Sequence, residues 1–214
     1  MHVEPVPTTA LGGRLFSAHD IRAHVERYAG LRARLMAFAL DYVLIAGYLL
    51  LLAVVSILLA ASPWRRPLLD LFAHPLSAEL AQFVLLTLPV LLYFALLERS
   101  AWQGTWGKRL LGLRVVTGEG GRLGTVRSLA RSAGKLVPWE LSHALLWRVA
   151  LAPGGAPVPW WVPAGYALVY ALVGVSLGSI LLSRRRQTLY DRLAGTVVLT
   201  GDAVDPTLRL RAAV

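Results

Sequence analysis

Long apolar blocks alternate with shorter polar connections along this chain. Four apolar blocks are apparent, at residues 35–61, 80–97, 136–152 and 160–183. At about 1.5 Å of rise per residue, the first block as a helix is longer than a hydrocarbon core roughly 30 Å thick, so we expect it to tilt. Pro89 predicts a kink in the second block. The pattern therefore predicts membrane-spanning helices.

The third block allows two topologies. It is short and carries Glu140, His143 and Arg148. In a helix, Glu140 and His143 share a face with Trp147. Either this helix crosses the bilayer with its polar face turned inward, or it lies in the membrane interface. The predicted fold class is an all-α membrane protein, a bundle of four (alternatively three) transmembrane helices.

Two β-branched runs lie outside the apolar blocks, LRVV at 113–116 and TVVL at 196–199. Each run is close to a glycine-containing turn and to the end of a predicted span, and β-branched residues favour strands. The runs either pair as a small cytoplasmic β cap beneath the bundle or form two unrelated extended segments.

The connection at residues 99–135 is rich in basic residues. Short basic loops stay in the cytoplasm by the positive-inside rule, and we predict both termini on the same side. The resulting layout is a cytoplasmic polar leader at 1–30, a membrane domain at 31–201 and a C-terminal tail at 202–214. We expect this loop to contact anionic lipid headgroups. Its basic residues are Arg99, Lys108, Arg109, Arg114, Arg122, Arg127, Arg131 and Lys135.

The amino-acid composition agrees with a membrane protein. Apolar residues make up 56% of the 214-residue chain and charged residues 16%, against about 25% in soluble domains. The net charge of +10 comes without nucleic-acid-binding motifs, so we expect no nucleic-acid partner. Twenty arginines against two lysines indicate a GC-rich, bacterial genome. Residues 1–30 lack a signal-peptide core, so we expect the first span to act as its own signal.

Motifs for catalysis or metal binding do not occur in the sequence. The GTWGKRL stretch at 104–110 fails as a phosphate-binding loop, because the glycine spacing is too short and Arg109 replaces the metal-binding hydroxyl residue. There is no cysteine and no HExxH, and no serine sits in a GxSxG nucleophile elbow, because the GVSLG stretch at 174–178 lies inside an apolar block and not at a strand-to-helix turn. We therefore expect no enzyme activity, no cofactor and no metal site. Gly174 and Gly178 form a GxxxG pattern, which favours helix packing within the chain or between copies in a homo-oligomer.

Three charged residues at span ends form the most informative pattern. Arg34 and Asp41 lie near the start of the first span, and Asp191 lies in QTLYDRLAGTVVL just after the last one. Between them, past the second span, stands GTWGKRLLGLRVVTGEGG at 104–121. In this order the segments resemble the RDD family of bacterial membrane proteins over residues 28–201. The resemblance implies a multi-pass protein of the bacterial inner membrane, and sodium/proton antiport has been proposed for one member.

Helix geometry indicates how these charges are partnered. Arg34 and Asp41 lie on one helix face but about 10 Å apart along the axis. Helical side chains lean toward the N-terminus, which disfavours a direct bond between the two. We therefore expect Asp191 to pair with Arg34, and Arg109 or Arg192 to reach toward Asp41.

An aspartate inside a membrane span is energetically costly and is a functional candidate by default. Asp41 is either an ion- or proton-binding carboxylate or one of several charges that hold the spans together. Glu140, beside His143, is the nearest substitute for a second deep carboxylate. The function is then either transport or exchange of a monovalent cation or proton, or that of a non-transporting membrane scaffold that binds a partner protein or lipid.

We predict that tags at either terminus, or within residues 99–135, react with a membrane-impermeant reagent only after the cells are permeabilised. The positive-inside rule is the reason. A tag in the connection at 62–78, which we expect outside, serves as the positive control. A C-terminal tag that reacts in intact cells would reverse the last span and favour three crossings.

Overall fold

The computed structural model describes residues 28–154 and 156–201. The predicted tail, and the predicted leader apart from residues 28–30, lie outside them. A π-helical turn at Phe83–Thr87 joins the third and fourth helices into one continuous helical segment. The elements in chain order are α1 (Leu31–Ala60), α2 (Arg65–Leu71), α3 (Pro75–Gln82), α4 (Leu88–Arg99), α5 (Trp106–Leu110), β1 (Arg114–Thr117), α6 (Thr125–Ala150), α7 (Trp161–Leu182), α8 (Leu189–Leu193) and β2 (Thr196–Leu199).

Three helical segments in the described part of the chain are long and apolar enough to cross a bilayer. They are Leu31–Ala60, Pro75–Arg99 and Trp161–Leu182. The first and last of these match the predicted blocks closely, and the middle one extends the predicted block at both ends. An all-α membrane protein is therefore confirmed as the fold class.

The fourth long helix, α6, differs from its prediction. It begins at Thr125, so the first 11 residues of this 26-residue helix fall inside the predicted loop at 99–135. That stretch also contains α5 and β1, so the connection predicted as a basic loop is largely made of secondary structure. The basic residues did not mark a loop because Arg131 and Lys135 meet a buried carboxylate on α4.

Two ion pairs show how α6 lies against its neighbour. Arg131 contacts Glu98 at the end of α4, and Arg148 contacts Glu79 on α3. These pairs are separated by about 25 Å of helix, so α6 runs antiparallel to Pro75–Arg99 over most of its length. This arrangement favours the four-crossing bundle over a helix lying flat in the interface.

Pro89 lies two residues beyond the π-helical turn of the second span. A proline within a helix leaves the carbonyl four residues earlier without its usual donor. Here that carbonyl belongs to Leu85, inside the π-helical turn, and the hydroxyl of Tyr48 donates a 2.6 Å hydrogen bond to it. The freed backbone group therefore ties the second span to α1.

Beneath the bundle, β1 and β2 form a two-stranded antiparallel sheet. The register runs from Arg114 opposite Leu199 to Thr117 opposite Thr196, which confirms the predicted pairing. The backbone N–H of Ala29 donates to the carbonyl of Val198 at 2.8 Å, so the start of α1 is fixed on the sheet. The small apolar core of this β cap consists of Ala29, Ala37, Leu113, Val115, Leu123 and Val198.

Glycine allows the short helix α5 to pack directly on the backbone of α1. A Cβ added to Gly107 would lie 2.1 Å from the carbonyl oxygen of Ala37, closer than any side chain can approach. Gly174 and Gly178 differ, because a Cβ at either would meet no atom of the described chain within 4 Å. Of the two alternatives for these glycines, packing within the chain has no support among the described residues, and contact between copies stays a prediction.

We predict that Gly107→Ala lowers stability by about 1–3 kcal/mol, the usual cost of overpacking, because α5 must move away from α1. The matched control is Gly174→Ala, which has free space and the higher helix propensity of alanine, so its stability should stay level or rise. Melting temperatures in one detergent compare the two. Equal melting temperatures would contradict the close packing of α5 on α1.

Candidate functional site

Arg34, one turn into α1, connects three parts of the chain through its guanidinium. Its Nη1 donates to Asp191 Oδ2 at 2.6 Å. Its Nη2 donates to the carbonyl of Arg186 at 2.7 Å, and its Nε to that of Ala29 at 3.0 Å. The side chain is 9% exposed. Arg34 therefore joins the start of the first span to the segment that follows the last one, and it pairs with the residue that the sequence predicted.

Asp191 is held in place by its own helix. Thr188 and Asp191 form a capping box at the start of α8, in which each side chain accepts from the other residue's backbone N–H. The remaining acceptor capacity of the carboxylate receives Arg34 on one oxygen and Arg131 on the other, the latter at 2.7 Å. A local helix cap thus fixes a carboxylate that two distant arginines share.

Arg131, on α6, bridges two buried acids. Its guanidinium bonds Asp191 and, through Nη1, Glu98 at the end of α4. Arg131 is 1% exposed and Glu98 fully buried. Sequence reasoning missed both residues as site members, since it treated Arg131 as part of a basic loop and Glu98 falls just beyond the apolar block at 80–97. A signal was available, because an acid at the end of an apolar span needs a cationic partner.

Two lysines complete the group of charges around Glu98. Lys108 of α5 forms a short ion pair with Glu98 Oε1, and Lys135 of α6 lies 3.3 Å from the same oxygen. We call the whole group the ion cluster; it comprises Arg34, Glu98, Lys108, Arg131, Lys135 and Asp191. With four basic and two acidic side chains, its formal charge is +2.

Burial and charge act in opposite directions on the two members of the cluster that lie on short helices outside the spans. Burial by itself would raise the pKa of Asp191, but Arg131 and Arg34 outweigh it and hold that pKa well below its usual range. Burial lowers the pKa of Lys108, and the attraction of Glu98 opposes the shift only in part. Asp191 therefore stays ionised at every physiological pH.

Asp41 forms a separate site, about two helical turns beyond Arg34 in α1. Its Oδ1 accepts from the backbone N–H of Gly107 and from the hydroxyl of Tyr93, both at 2.7 Å. Its Oδ2 accepts from the hydroxyl of Thr105 at 2.5 Å. Thr105 and Gly107 stand at the N-terminus of α5, so Asp41 receives the N–H and hydroxyl groups at the start of that helix. The side chain is 1% exposed.

The secondary candidates from the sequence lie away from Asp41. Arg109 is exposed, with its guanidinium 3.8 Å from the ring centroid of Trp102, and Arg192 is also exposed. Neither is among the hydrogen-bond partners of Asp41, and the prediction that one of them reaches it was wrong. The reason is that the N-terminus of α5 already occupies both carboxylate oxygens.

Glu140 and His143 also occupy different surroundings, although both are on α6. Glu140 accepts from the hydroxyl of Thr87 and, at 3.2 Å, from the amide of Gln82. Thr87 belongs to the π-helical turn, so Glu140 contacts the second span at its irregular point. The ring of His143 contacts Trp139 of its own helix, and it does not join Glu140 in a common site.

An apolar cleft lies between α1 and α7, with α4 and α6 behind it. It consists of two adjoining cavities of about 470 and 330 Å³. The residues that line both are Phe38, Phe94, Lys135, Pro138 and Val173. The first cavity reaches the ion cluster, where its charged lining residues are Arg34, Asp41, Lys108, Arg131 and Lys135. The cleft therefore has apolar walls and a basic end.

Comparison with known proteins gives a family but no described activity. A model of the RDD family matches residues 28–195. An uncharacterized protein of Bacillus subtilis (strain 168), YxaI, is 28% identical over 113 residues, which is 50% of this chain and 75% of that protein. No solved structure matches the chain.

We predict that Glu98→Gln destabilises the protein by about 3–5 kcal/mol, because it leaves Arg131, Lys108 and Lys135 without their shared carboxylate. The matched control is Glu79→Gln on the same helical segment. Its partner Arg148 is 46% exposed, so that loss should be about 0–1 kcal/mol. Melting temperatures and the yield of folded protein check both variants. Equal losses would mean that the ion cluster does not hold the bundle together.

Proposed function

Because the chain belongs to the RDD family of membrane proteins, we propose that it acts as a non-transporting membrane scaffold and binds its partner within the bilayer. We further propose that it lies in the bacterial inner membrane with both termini in the cytoplasm, and that it is not an enzyme. The basic segment at residues 99–135 supports this orientation, because short basic segments stay in the cytoplasm.

The observation that carries the proposal is the way in which the three family-motif charges are engaged. Arg34 and Asp191 pair with each other across the bundle, and Asp191 is also bound by Arg131. Asp41 receives the N-terminus of α5. A transport site has to release its ion and accept another, whereas these side chains make contacts on which the positions of whole helices depend. Such use of the motif supports an architectural role.

The cleft supports a partner that arrives from the bilayer. Several of its lining residues are open to the surroundings of the bundle; Leu35 is 48%, Phe38 49% and Val173 40% exposed. In a membrane these surroundings are lipid, so the cleft opens sideways between two spans. An apolar ligand or an apolar helix could enter there without first crossing the cytoplasm.

Transport of a cation or proton is the second candidate, and one specific observation favours it. Asp41 and Glu140 both lie within the bundle, and the partners found for them in the described residues are hydroxyl, amide and backbone N–H groups, not cations. A carboxylate without a fixed cation can exchange a proton or hold a sodium ion. Intramembrane acids of this kind mark proton relays in other proteins.

We predict that Asp41→Asn folds, with stability lowered by about 1–2 kcal/mol. The asparagine oxygen can still accept from Gly107 and Tyr93, its amide can donate to Thr105, and the loss is the difference between charged and neutral acceptors. On the scaffold proposal, wild-type proteoliposomes carry no more proton flux than empty ones, with or without sodium. Melting temperature and dye-reported flux, measured on the same preparations, test both statements.

The contrasting outcomes are distinct. Wild-type flux that disappears in a stably folded Asp41→Asn variant would replace the scaffold by an exchanger. Flux that survives in Asp41→Asn and disappears in Glu140→Gln would move the proton-carrying role to Glu140. A collapsed melting temperature for Asp41→Asn without any wild-type flux would strengthen the architectural role.

A further inference from the structure

The basic end of the cleft carries more positive than negative charge. Of the residues that line the larger cavity, Arg34, Lys108, Arg131 and Lys135 are basic and Asp41 alone is acidic. The two carboxylates of the ion cluster, Glu98 and Asp191, do not line it. The cations of the cluster therefore face the cleft while its anions lie behind them, and the cluster is formally +2. Such an arrangement is complementary to an anion in the cleft.

Lys135 is the group best placed to bind that anion. Its Nζ lies 3.3 Å from Glu98 Oε1, the longest contact that this carboxylate makes with the three cations around it. The same Nζ lies 3.7 Å above the centroid of the Phe94 ring. An ammonium group has three N–H donors, and among the described residues Lys135 donates to Glu98 only. Donors thus remain for a ligand, and Lys135 lines both cavities.

Polarity changes steadily along the cleft. Beyond Lys135 the second cavity continues between Ile45 and Leu49 of α1 and Val169 of α7, where its lining is mainly apolar. The volumes of the two cavities fall within or near the roughly 300–1,000 Å³ range of small-molecule sites. The cleft has one charged end, one long apolar end and a lateral opening between two spans. These features match an amphiphilic molecule that is already oriented in one leaflet of the bilayer.

We infer that this cleft binds one anionic phospholipid, with the headgroup phosphate at Lys135 and an acyl chain between α1 and α7. The inference rests on the proposed scaffold function, because it names the class of partner that the membrane supplies. Free phosphate could meet the charge requirement but not the apolar walls, and a zwitterionic lipid could fill the walls but carries no net charge to match the basic end.

The experiment uses the purified full-length chain in detergent, titrated with dioleoylphosphatidylglycerol, dioleoylphosphatidylcholine or inorganic phosphate and followed by native mass spectrometry. We expect one bound phosphatidylglycerol per chain at concentrations at which phosphatidylcholine does not saturate. Inorganic phosphate should not displace it. Equal binding of the two lipids, or displacement by phosphate alone, would overturn the inference without any variant.

Two pairs of variants locate the site. Lys135→Met removes the charge and keeps the length of the chain, and Val173→Trp fills the cleft. Each should weaken phosphatidylglycerol binding about tenfold or more, which corresponds to one charge-assisted hydrogen bond or to exclusion of the acyl chain. The matched controls are Arg66→Met, at an exposed position of α2, and Val175→Trp, at an exposed position of α7; neither residue lines the cleft. Both controls should change binding by less than about twofold.

Melting temperatures of all four variants show which of them fold. If Lys135→Met does not fold, Lys135→Arg should retain lipid binding, and Val173→Trp still tests the apolar part of the cleft. Unchanged binding in a folded Val173→Trp variant would overturn the inference. Wild-type proton flux together with selective phosphatidylglycerol binding would refute the scaffold function but not the lipid inference. Absence of proton flux together with equal binding of both lipids would refute the lipid inference but not the scaffold function.

Discussion

The structure depends on the placement of Arg131 between two buried acids. A buried cation is strongly destabilising unless charge and hydrogen bonds compensate it, and the same holds for each carboxylate. Arg131 bonds Glu98 on α4 and Asp191 on α8, and Arg34 of α1 binds the other side of Asp191. Four helices that are distant in sequence therefore meet at one alternating row of charges. None of them can leave its position without exposing a buried ion to apolar surroundings.

The charge of Asp41 is likewise compensated by groups from other segments, but these are neutral hydrogen-bond donors instead of cations. A charge at the centre of a membrane helix costs about 3 kcal/mol on insertion scales. Hydrogen bonds to a charged group contribute about 1.5–3 kcal/mol each, and Asp41 receives them from Tyr93, Thr105 and Gly107. Three such bonds are enough to offset the cost of burial. The aspartate thus determines where α5 docks, and α5 in turn carries Lys108 into the ion cluster.

The imbalance of the cluster gives the fold an asymmetric interior. Its cations line the cleft between α1 and α7, whereas its carboxylates do not. An anion in the cleft would neutralise this excess of positive charge. A bilayer that contains anionic lipids supplies such negative charge at its surface. Structure and environment are therefore coupled by simple electrostatics.

The sequence determined those features that depend on local pattern. Hydropathy predicted the spans at Leu31–Ala60 and Trp161–Leu182, and β-branched runs predicted the sheet. The cost of a charge inside a membrane span singled out Asp41. The resemblance to the RDD family added Arg34 and Asp191. Tertiary structure decided the rest. Residues 125–135 form a helix and not a loop because Arg131 and Lys135 pair with Glu98, which belongs to another segment. A charge that is paired in this way no longer requires hydration. Asp41 was expected to meet an arginine and meets a helix N-terminus instead. Partners of buried charges are set by which segments approach each other in space, and one-dimensional spacing carries no such information.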